Sequence, residues 1–368
     1  VTVTFNLSKE VEIFVNGVSI GVVVFNNFPD LSAVDNLIGI SSGVADFQVD
    51  NYRIFDRVLS VPEITALSKE GQIIPTDSLL THYTFDDSSV SGTTLINQST
   101  TNSLNNGTIT GAVTGSGYIG ESRYFDGTDD YVNVGVVSAH SSINMTLSMM
   151  INLSDTGAHY LYGDSSTTGS WGKFILRMIS GLNNVQVGWN NVSFDLNFLS
   201  TLNTGQWYNL VIIRSGTEGD IDTKMYLDGV LQDEDLARAT SLSSATSYDC
   251  SIGRIGEYNF ASGYTAGNID NLRVYDRVIT SPEITALSKE GQTIPTDGLI
   301  THFTYDNISG STVFDEVGNN DGTIVESPTI VPGKFGNGMG LSGEIPGKGQ
   351  VKYPLDTFNG LTDFSLSF

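Results

Sequence analysis

The chain has 368 residues, and at roughly 100 to 200 residues per domain this length predicts two or three domains. It contains 17 Lys and Arg and 41 Asp and Glu, which gives a formal net charge of −24. This charge argues against nucleic-acid backbones and anionic lipid surfaces as partners. Divalent cations, neutral glycans and other proteins remain as partner classes. A single Cys excludes an intrachain disulfide framework, and no apolar run approaches the ~20 residues needed to span a bilayer.

Short strands dominate the predicted elements. In chain order the clearest are VTVTF from Val1, YVNVGV from Tyr131, WYNLVII from Trp207, KMYLDGV from Lys224 and NLRVY from Asn271. They are rich in β-branched and aromatic residues and are bounded by Gly, Asn, Asp and Ser, which is typical of β-strands. The pattern therefore predicts an all-β protein.

Two short helices interrupt this pattern. Ser60 with Glu63, and Thr280 with Glu283, have the spacing of a capping box, and a proline lies in the first turn after each Ser or Thr. A glycine follows each helical stretch and predicts its end. The expected content is one short helix per repeat.

An internal repeat organises the chain. Residues 51–90 and 271–310 align without gaps at an offset of 220 and share 26 identities in 40 positions. This closeness indicates a recent duplication with a unit of about 220 residues. We predict the C-terminal part of a first domain at 1–73, a complete second domain at 74–292 and the N-terminal part of a third at 293–368.

The two ends of the chain lie inside predicted domains. The chain begins at Val1 within a strand-like segment, with neither an initiator Met nor a signal peptide, as in a piece cut from a longer protein. Half of a sandwich cannot bury its apolar face alone. We therefore expect both terminal segments to pair with chain beyond these residues or with another subunit.

Three ordered motifs resemble a known family. LLTHYTFDD followed by YFDGTDDYVNV, GQWYNLVIIR followed by KMYLDGV, and GNIDNLRVYDRVITSPEITAL are similar to the laminin-G-like domain of the concanavalin A-like lectin and glucanase superfamily. The resemblance covers essentially the whole chain in three registers. It implies tandem antiparallel two-sheet jelly-roll sandwiches with a curved face and a rim of loops.

Catalytic chemistry has little support in these residues. Glucanases on this fold need paired carboxylates that flank the glycosidic bond, whereas the strand where the resemblance would place them reads NIDNLRV, with Asp270 alone. The G-x-G-x-x-G pattern at Gly115, Gly117 and Gly120 leads into a strand and not a helix, which favours a turn over a dinucleotide-binding loop. We predict that the chain is not an enzyme.

Calcium is the most credible ion. Asp126, Asp129 and Asp130 lie within five residues and supply hard oxygen ligands. The family resemblance implies a rim calcium held by Asp126, with Asp129 or Asp130 and with Asp270 as a further ligand. The alternative interpretation is that DGTDD is an ordinary Asx-rich hairpin turn.

Aromatic residues form the candidate carbohydrate site. Tyr160, Tyr162, Trp171 and Trp189 surround a stretch rich in Gly, Ser and Thr, and Tyr162, Trp171 and Trp189 are the candidate residues for stacking on sugars. The alternative for each ring is a place in the core.

The predicted function is adhesion or structure without catalysis, as a repeat of an extracellular or virion (phage) fibre. Repeated weak sites on one rod would gain effective concentration when they bind cell-surface glycans. Other expected partners are structural proteins of the same assembly and neighbouring repeats, with oligomers possible in such an assembly. The alternatives are a pure spacer, a bacterial adhesin, or a carbohydrate-targeting module of a secreted polysaccharide-active enzyme.

Overall fold

The structure is a computed structural model. It describes residues 1–6, 8, 10–24, 36–38, 47–49, 51–70, 74–99, 105–179, 182–198, 201–238, 241–242, 245–255, 264–291, 296–325, 328–333, 336–341, 350–353 and 364–368. Over these residues it contains 31 strands and two α-helices, which confirms the predicted all-β class with one short helix per repeat.

The elements follow one another in this order: β1 Thr2–Phe5, β2 Glu10–Val15, β3 Val18–Val24, β4 Asn36–Ile38, β5 Phe47–Val49, β6 Tyr52–Phe55, α1 Val61–Lys69, β7 Leu79–Tyr83, β8 Val90–Ser91, β9 Thr94–Leu95, β10 Gly107–Thr110, β11 Val113–Ser116, β12 Glu121–Asp126, β13 Tyr131–Gly135, β14 Met145–Leu153, β15 His159–Ser165, β16 Trp171–Met178, β17 Asn184–Trp189, β18 Val192–Asn197, β19 Tyr208–Thr217, β20 Asp220–Leu227, β21 Val230–Arg238, β22 Cys250–Ile252, β23 Ala266–Tyr275, α2 Ser281–Lys289, β24 Leu299–Phe303, β25 Ile308–Ser309, β26 Thr312–Val313, β27 Gly322–Val325, β28 Thr329–Pro332, β29 Asn337–Leu341, β30 Gln350–Tyr353 and β31 Phe364–Ser367.

The chain divides into two compact units. The central unit spans Gln72–Gly291, and the composite unit combines Val1–Gly71 with Gln292–Phe368. The domain boundaries inferred from the repeat, 74–292 for the complete copy and 1–73 and 293–368 for the partial ones, stay a prediction.

The central unit is a sandwich of two antiparallel sheets. One sheet has nine strands in the order β18-β17-β16-β15-β22-β13-β10-β9-β8, and the other runs β11-β12-β23-β14-β19-β20-β21 with β7 also paired to β23. Alternation sorts the side chains: on β20, Ile221 and Met225 are buried while Asp222 and Lys224 are only half-buried. The inner faces of both sheets form one apolar core, as the jelly-roll prediction requires.

The composite unit corrects the expectation about the terminal segments. They pair with each other, because β1 lies antiparallel to β31 with Val3 opposite Leu366, and β6 lies between β24 and β31. The physical reason is that neither segment can bury its apolar sheet face alone, and each supplies strands that pair with those of the other. Their shared core includes Ile54, Phe303 and Val351.

Equivalent polar contacts recur in both units. Arg53 pairs with Glu70 at 2.6 Å in the composite unit, and Arg273 pairs with Glu290 at 2.6 Å in the central unit. A strand histidine in each unit contacts an asparagine with positive φ: His302 Nε2 lies 2.9 Å from Asn51 Oδ1, and His82 Nε2 lies 3.2 Å from Asn271 Oδ1. The same polar contacts therefore occur in both units.

The helix α2 begins with the capping box that the sequence predicts. The Glu283 carboxylate accepts hydrogen bonds from Thr280 N at 2.7 Å and Thr280 Oγ1 at 2.9 Å. It also accepts hydrogen bonds from both terminal nitrogens of Arg277, at 3.0 and 2.6 Å. The bonds from Arg277 in particular, helped by those from Thr280, lower the pKa of Glu283 to about 2.

Replacing this cap should destabilise the central unit. We expect Glu283→Ala to lower its free energy of unfolding by about 1 kcal/mol at pH 7, the usual cost of a lost cap. Because the folded pKa lies below the ordinary 4.5, the difference should shrink as pH falls from 4.5 towards 2. Urea unfolding followed by tryptophan fluorescence measures this unit alone, since Trp171, Trp189 and Trp207 all lie in it.

The matched control is Asp220→Asn, which removes one exposed charge at the start of β20. It should leave the transition unchanged. Equal effects of the two substitutions would contradict a capping role for Glu283.

Candidate functional site

The outer face of the nine-stranded sheet carries an aromatic and cationic cluster. On β16, Phe174 and Leu176 point into the core, so the alternate residues Trp171 and Arg177 lie half-buried on the outer face. The register sets Tyr160 of β15 opposite Arg177, and Gln186 of β17 on its other side. We call Tyr160, Trp171, Arg177 and Gln186 the Arg177 cluster.

Hydrogen bonds and ring contacts hold the Arg177 guanidinium. Its Nε and Nη2 donate to Gln186 Oε1 at 2.8 and 2.6 Å, and its Nη1 donates to the Tyr160 hydroxyl at 3.3 Å. The guanidinium carbon lies 4.8 Å from the ring centre of Trp171 and 5.4 Å from that of Tyr160, within the range of cation–π attraction. The result is a cation oriented from three sides, with two half-buried aromatic rings beside it.

The structure corrects two of the three predicted stacking residues. Tyr162 is only 1% exposed because a β-bulge between Tyr160 and Tyr162 breaks the alternation, so that both Leu161 and Tyr162 face the core. Trp189 is 0% exposed and packs beside Ile221. A ring without an exposed face cannot stack on a sugar.

Trp171 remains a candidate; Arg177 and Gln186 were missed, and Tyr160 was named near the site but not selected. The signal for Arg177 was available in the strand WGKFILRM, where it occupies the same alternate set as Trp171. Gln186 carried no comparable signal, because its contact with Arg177 depends on which strand lies next to β16. Tyr160 could not be separated from Tyr162 without knowledge of the bulge.

The three aspartates of the β12–β13 turn come together. Oxygens of Asp126, Asp129 and Asp130 lie within 4.8 Å of one another. Asp126 Oδ1 accepts a hydrogen bond from Thr128 N at 2.7 Å, and Asp130 Oδ2 accepts one from Asp126 N at 2.9 Å, so the segment is also an Asx-rich turn. Both interpretations of the sequence are compatible with this geometry.

Electrostatics in this turn favour a bound cation. Burial raises the pKa of Asp130, and the charges of Asp126 and Asp129 raise it further, against a lowering by the hydrogen bond from Asp126 N. A divalent ion would offset this mutual repulsion, and carboxylate oxygens are the ligands that hard cations prefer. The donor set therefore fits a metal ion.

Asp270 lies apart from these aspartates. It sits on the central strand β23, where it is 0% exposed, and its Oδ2 accepts hydrogen bonds from Tyr118 N at 2.9 Å and Ile119 N at 3.0 Å. The structure thus corrects the expectation that Asp270 joins the ligand set, because its carboxylate is taken up by the backbone of the turn between β11 and β12. That turn contains the G-x-G-x-x-G pattern, which joins two strands as expected.

Among the described residues, no helix combines the length and the apolar composition needed to cross a membrane.

Comparison with protein families gives one match. Residues 126–285 match the family model described as Concanavalin A-like lectin/glucanases superfamily. No curated protein matches the chain.

Several solved structures are similar to this chain at low identity. Domain 4 of AbnA, a GH43 extracellular arabinanase from Geobacillus stearothermophilus, in complex with arabinotriose, is 20% identical, with a TM-score of 0.43 over 57% of this chain and 98% of that domain. Trypanosoma rangeli sialidase in complex with sialic acid is 14% identical, with a TM-score of 0.47 over 62% of this chain and only 35% of the sialidase. The heptameric SAP-like pentraxin from Limulus polyphemus is 14% identical, with a TM-score of 0.38 over 53% of this chain and 94% of the pentraxin.

The family match spans β13 to β23 and reaches into α2. It confirms, for residues 126–285, the predicted resemblance to the concanavalin A-like lectin/glucanases superfamily.

Proposed function

We propose that the chain is a non-catalytic adhesion repeat that binds glycans through the Arg177 cluster. The observation that carries the proposal is the side-by-side placement of two half-buried aromatic rings, an oriented guanidinium and an amide on one sheet face. Sugars present apolar C–H faces and hydroxyl groups in alternation. A site with rings and planar polar groups can satisfy both.

The absence of catalysis is part of this proposal, and the state of Asp270 supports it. Glycoside hydrolysis usually needs two carboxyl groups that face the substrate about 5 to 9.5 Å apart. Asp270, on the strand where the family resemblance would place such a pair, is buried and binds backbone amides. Its neighbour on the strand is Asn271, whose Nδ2 donates to Asp270 Oδ1 at 3.2 Å.

Repetition suits adhesion, because weak sites on one array gain effective concentration. The 26 identities in 40 positions between 51–90 and 271–310 support an array of such units, and a charge of −24 supports a well-solvated surface outside cells or on a virion. We therefore place the chain in an extracellular or virion fibre, phage fibres included. A spacer role, a bacterial adhesin and the targeting module of a polysaccharide-active enzyme are the rivals, and a catalytic or an assembly domain in the full-length sequence would separate them.

We further propose calcium as the ion of the β12–β13 turn. The support is the 4.8 Å grouping of Asp126, Asp129 and Asp130 and the all-oxygen donor set. When bound, the ion would neutralise the turn and fix its conformation. No step of glycan binding at the Arg177 cluster depends on it.

The first test is glycan binding by the whole chain. We expect binding on a glycan array, and Trp171→Ala should weaken it about tenfold or more, since stacking on the ring is lost. The matched control is Tyr124→Ala, a 36% exposed aromatic residue on β12 of the other sheet, which should bind like the parent. Absence of binding, or equal loss in both variants, would leave the spacer role.

The second test is calcium removal. After treatment with chelator, calcium at a hundred times its Kd should add about 2.7 kcal/mol of stability, on the order of 5–10 °C in melting temperature. Asp129→Asn should abolish the shift without unfolding the turn, because among the described contacts the Asp129 carboxylate accepts no hydrogen bond. Asp220→Asn should show the same calcium-induced increase in melting temperature as the parent. If calcium does not change the melting temperature of the parent chain, the proposed site is refuted.

The third test concerns the buried Asp270. Burial raises its pKa to about 7 from an ordinary 3.8, so the folded chain binds a proton that the unfolded chain releases between these values. Its contribution to stability is therefore present below pH 3.8 and is lost as pH rises to 7. As pH rises from 4 to 7, the free energy of unfolding of Asp270→Asn should increase relative to that of the parent by on the order of 2–4 kcal/mol.

Tryptophan fluorescence during urea unfolding measures this difference in the central unit. Protonation of His82, whose pKa is lowered to about 4 by burial and by Arg273, contributes the opposite slope, but it does so in both proteins and cancels. A difference between variant and parent that does not change with pH would show that Asp270 is charged in the fold throughout.

A further inference from the structure

We propose that Arg177 makes the cluster selective for carboxylated sugars, the guanidinium binding the sugar carboxylate through two parallel hydrogen bonds. This inference rests on the proposed glycan binding and adds the chemical class of ligand. Arg177 differs from most of the described arginines because neutral side chains hold it on a sheet face and N–H groups are left over.

Most of the described arginines pair with an acid. The ion pairs measure 2.6 to 2.7 Å and join Arg53 to Glu70, Arg57 to Glu63, Arg123 to Asp87, Arg273 to Glu290 and Arg277 to Glu283. Arg177 has no carboxylate within 4.0 Å among the residues that the structure describes, although acids outnumber bases 41 to 17. Neutral groups hold it instead.

The neutral partners leave a usable pair of donors. A guanidinium has five N–H groups. In Arg177, the N–H of Nε and one N–H of Nη2 donate to Gln186, and one N–H of Nη1 donates to Tyr160. One N–H remains on each terminal nitrogen. A carboxylate accepts such a pair in the end-on bidentate arrangement, which is a strong and directional form of carboxylate recognition.

The side chain is held in place before any ligand arrives. Gln186, which receives two of its hydrogen bonds, is 7% exposed and fixed within the sheet, and the two rings limit rotation of the guanidinium. Binding therefore loses little side-chain entropy. The same rings lie beside the cation, where the ring of a sugar attached to the carboxylate can contact them.

An internal acid does not compete at this position. Asp195 is exposed on β18 and faces Gln186, two strand spacings from Arg177, or roughly 10 Å at ~4.8 Å per strand. The overall charge of −24 repels an anionic ligand at long range. At 0.15 M salt that repulsion is screened beyond about 8 Å, whereas the contact hydrogen bonds persist.

The experiment compares ligands that differ only at the carboxylate. Calorimetric titration of the whole chain uses trigalacturonic acid and its methyl ester, with 3′-sialyllactose and its methyl ester as the second pair. We expect at least one free acid to bind about ten- to a hundredfold more tightly than its neutral partner. Which pair shows the difference identifies a uronic or a sialic acid as the source of the carboxylate.

Variants then assign the difference to Arg177. Arg177→Gln should remove the preference for the acid, and Arg177→Lys should restore only part of it, because a lysine lacks the planar fork. Tyr124→Ala is the control and should keep the full preference. Tryptophan fluorescence checks that each variant is folded, and the ester comparison needs no variant at all.

The outcomes separate the two proposals. Equal affinity for the acids and their neutral partners, with loss of binding in Trp171→Ala, would overturn the carboxylate preference and leave glycan binding standing. An acid preference that survives Arg177→Gln would also overturn it. Failure of the unaltered chain to bind any glycan would remove both.

Discussion

Burial of two apolar sheet faces against each other is the constraint on which the rest of the central unit depends. Strands such as β14 and β20 place every second side chain in one core, including Leu147 and Met225. The opposite faces are then free to carry polar and aromatic groups. The Arg177 cluster exists because β16 obeys this alternation, with Phe174 and Leu176 inside and Trp171 and Arg177 outside.

Several polar residues whose types suggest a catalytic or metal site instead connect strands through hydrogen bonds. The carboxylate of Asp270 accepts hydrogen bonds from the turn between β11 and β12. His82 on β7 contacts Asn271 on β23, and His302 on β24 contacts Asn51, which directly precedes β6. The histidine–asparagine contact is present in both units, although the two segments of the composite unit are distant in the chain. Each of these two segments supplies one of the two side chains of that contact in the composite unit.

Charge acquires a local meaning from the fold. Across the chain, acidic residues dominate, and most described arginines are neutralised by one of them. At the Arg177 cluster a cation is held by an amide, a hydroxyl and two rings instead. The acidic surface repels most anions at long range, whereas the oriented guanidinium can bind a carboxylate at short range. The cluster is therefore suited to select a carboxylate whose sugar ring contacts the aromatic residues over anions in general.

The sequence by itself determined the class of fold, the repeat, the helix caps and the grouping of Asp126, Asp129 and Asp130, because each depends on residues close together in the chain. Of the Arg177 cluster it selected only Trp171, although it named Tyr160 among the neighbouring aromatic residues. The bulge that turns Tyr162 inward, the pocket of neighbours that buries Trp189 and the strand order that sets Gln186 beside Arg177 were decided by tertiary structure. Those positions depend on pairing between distant segments, and the period-2 pattern of a single strand contains no record of which strand lies next to it.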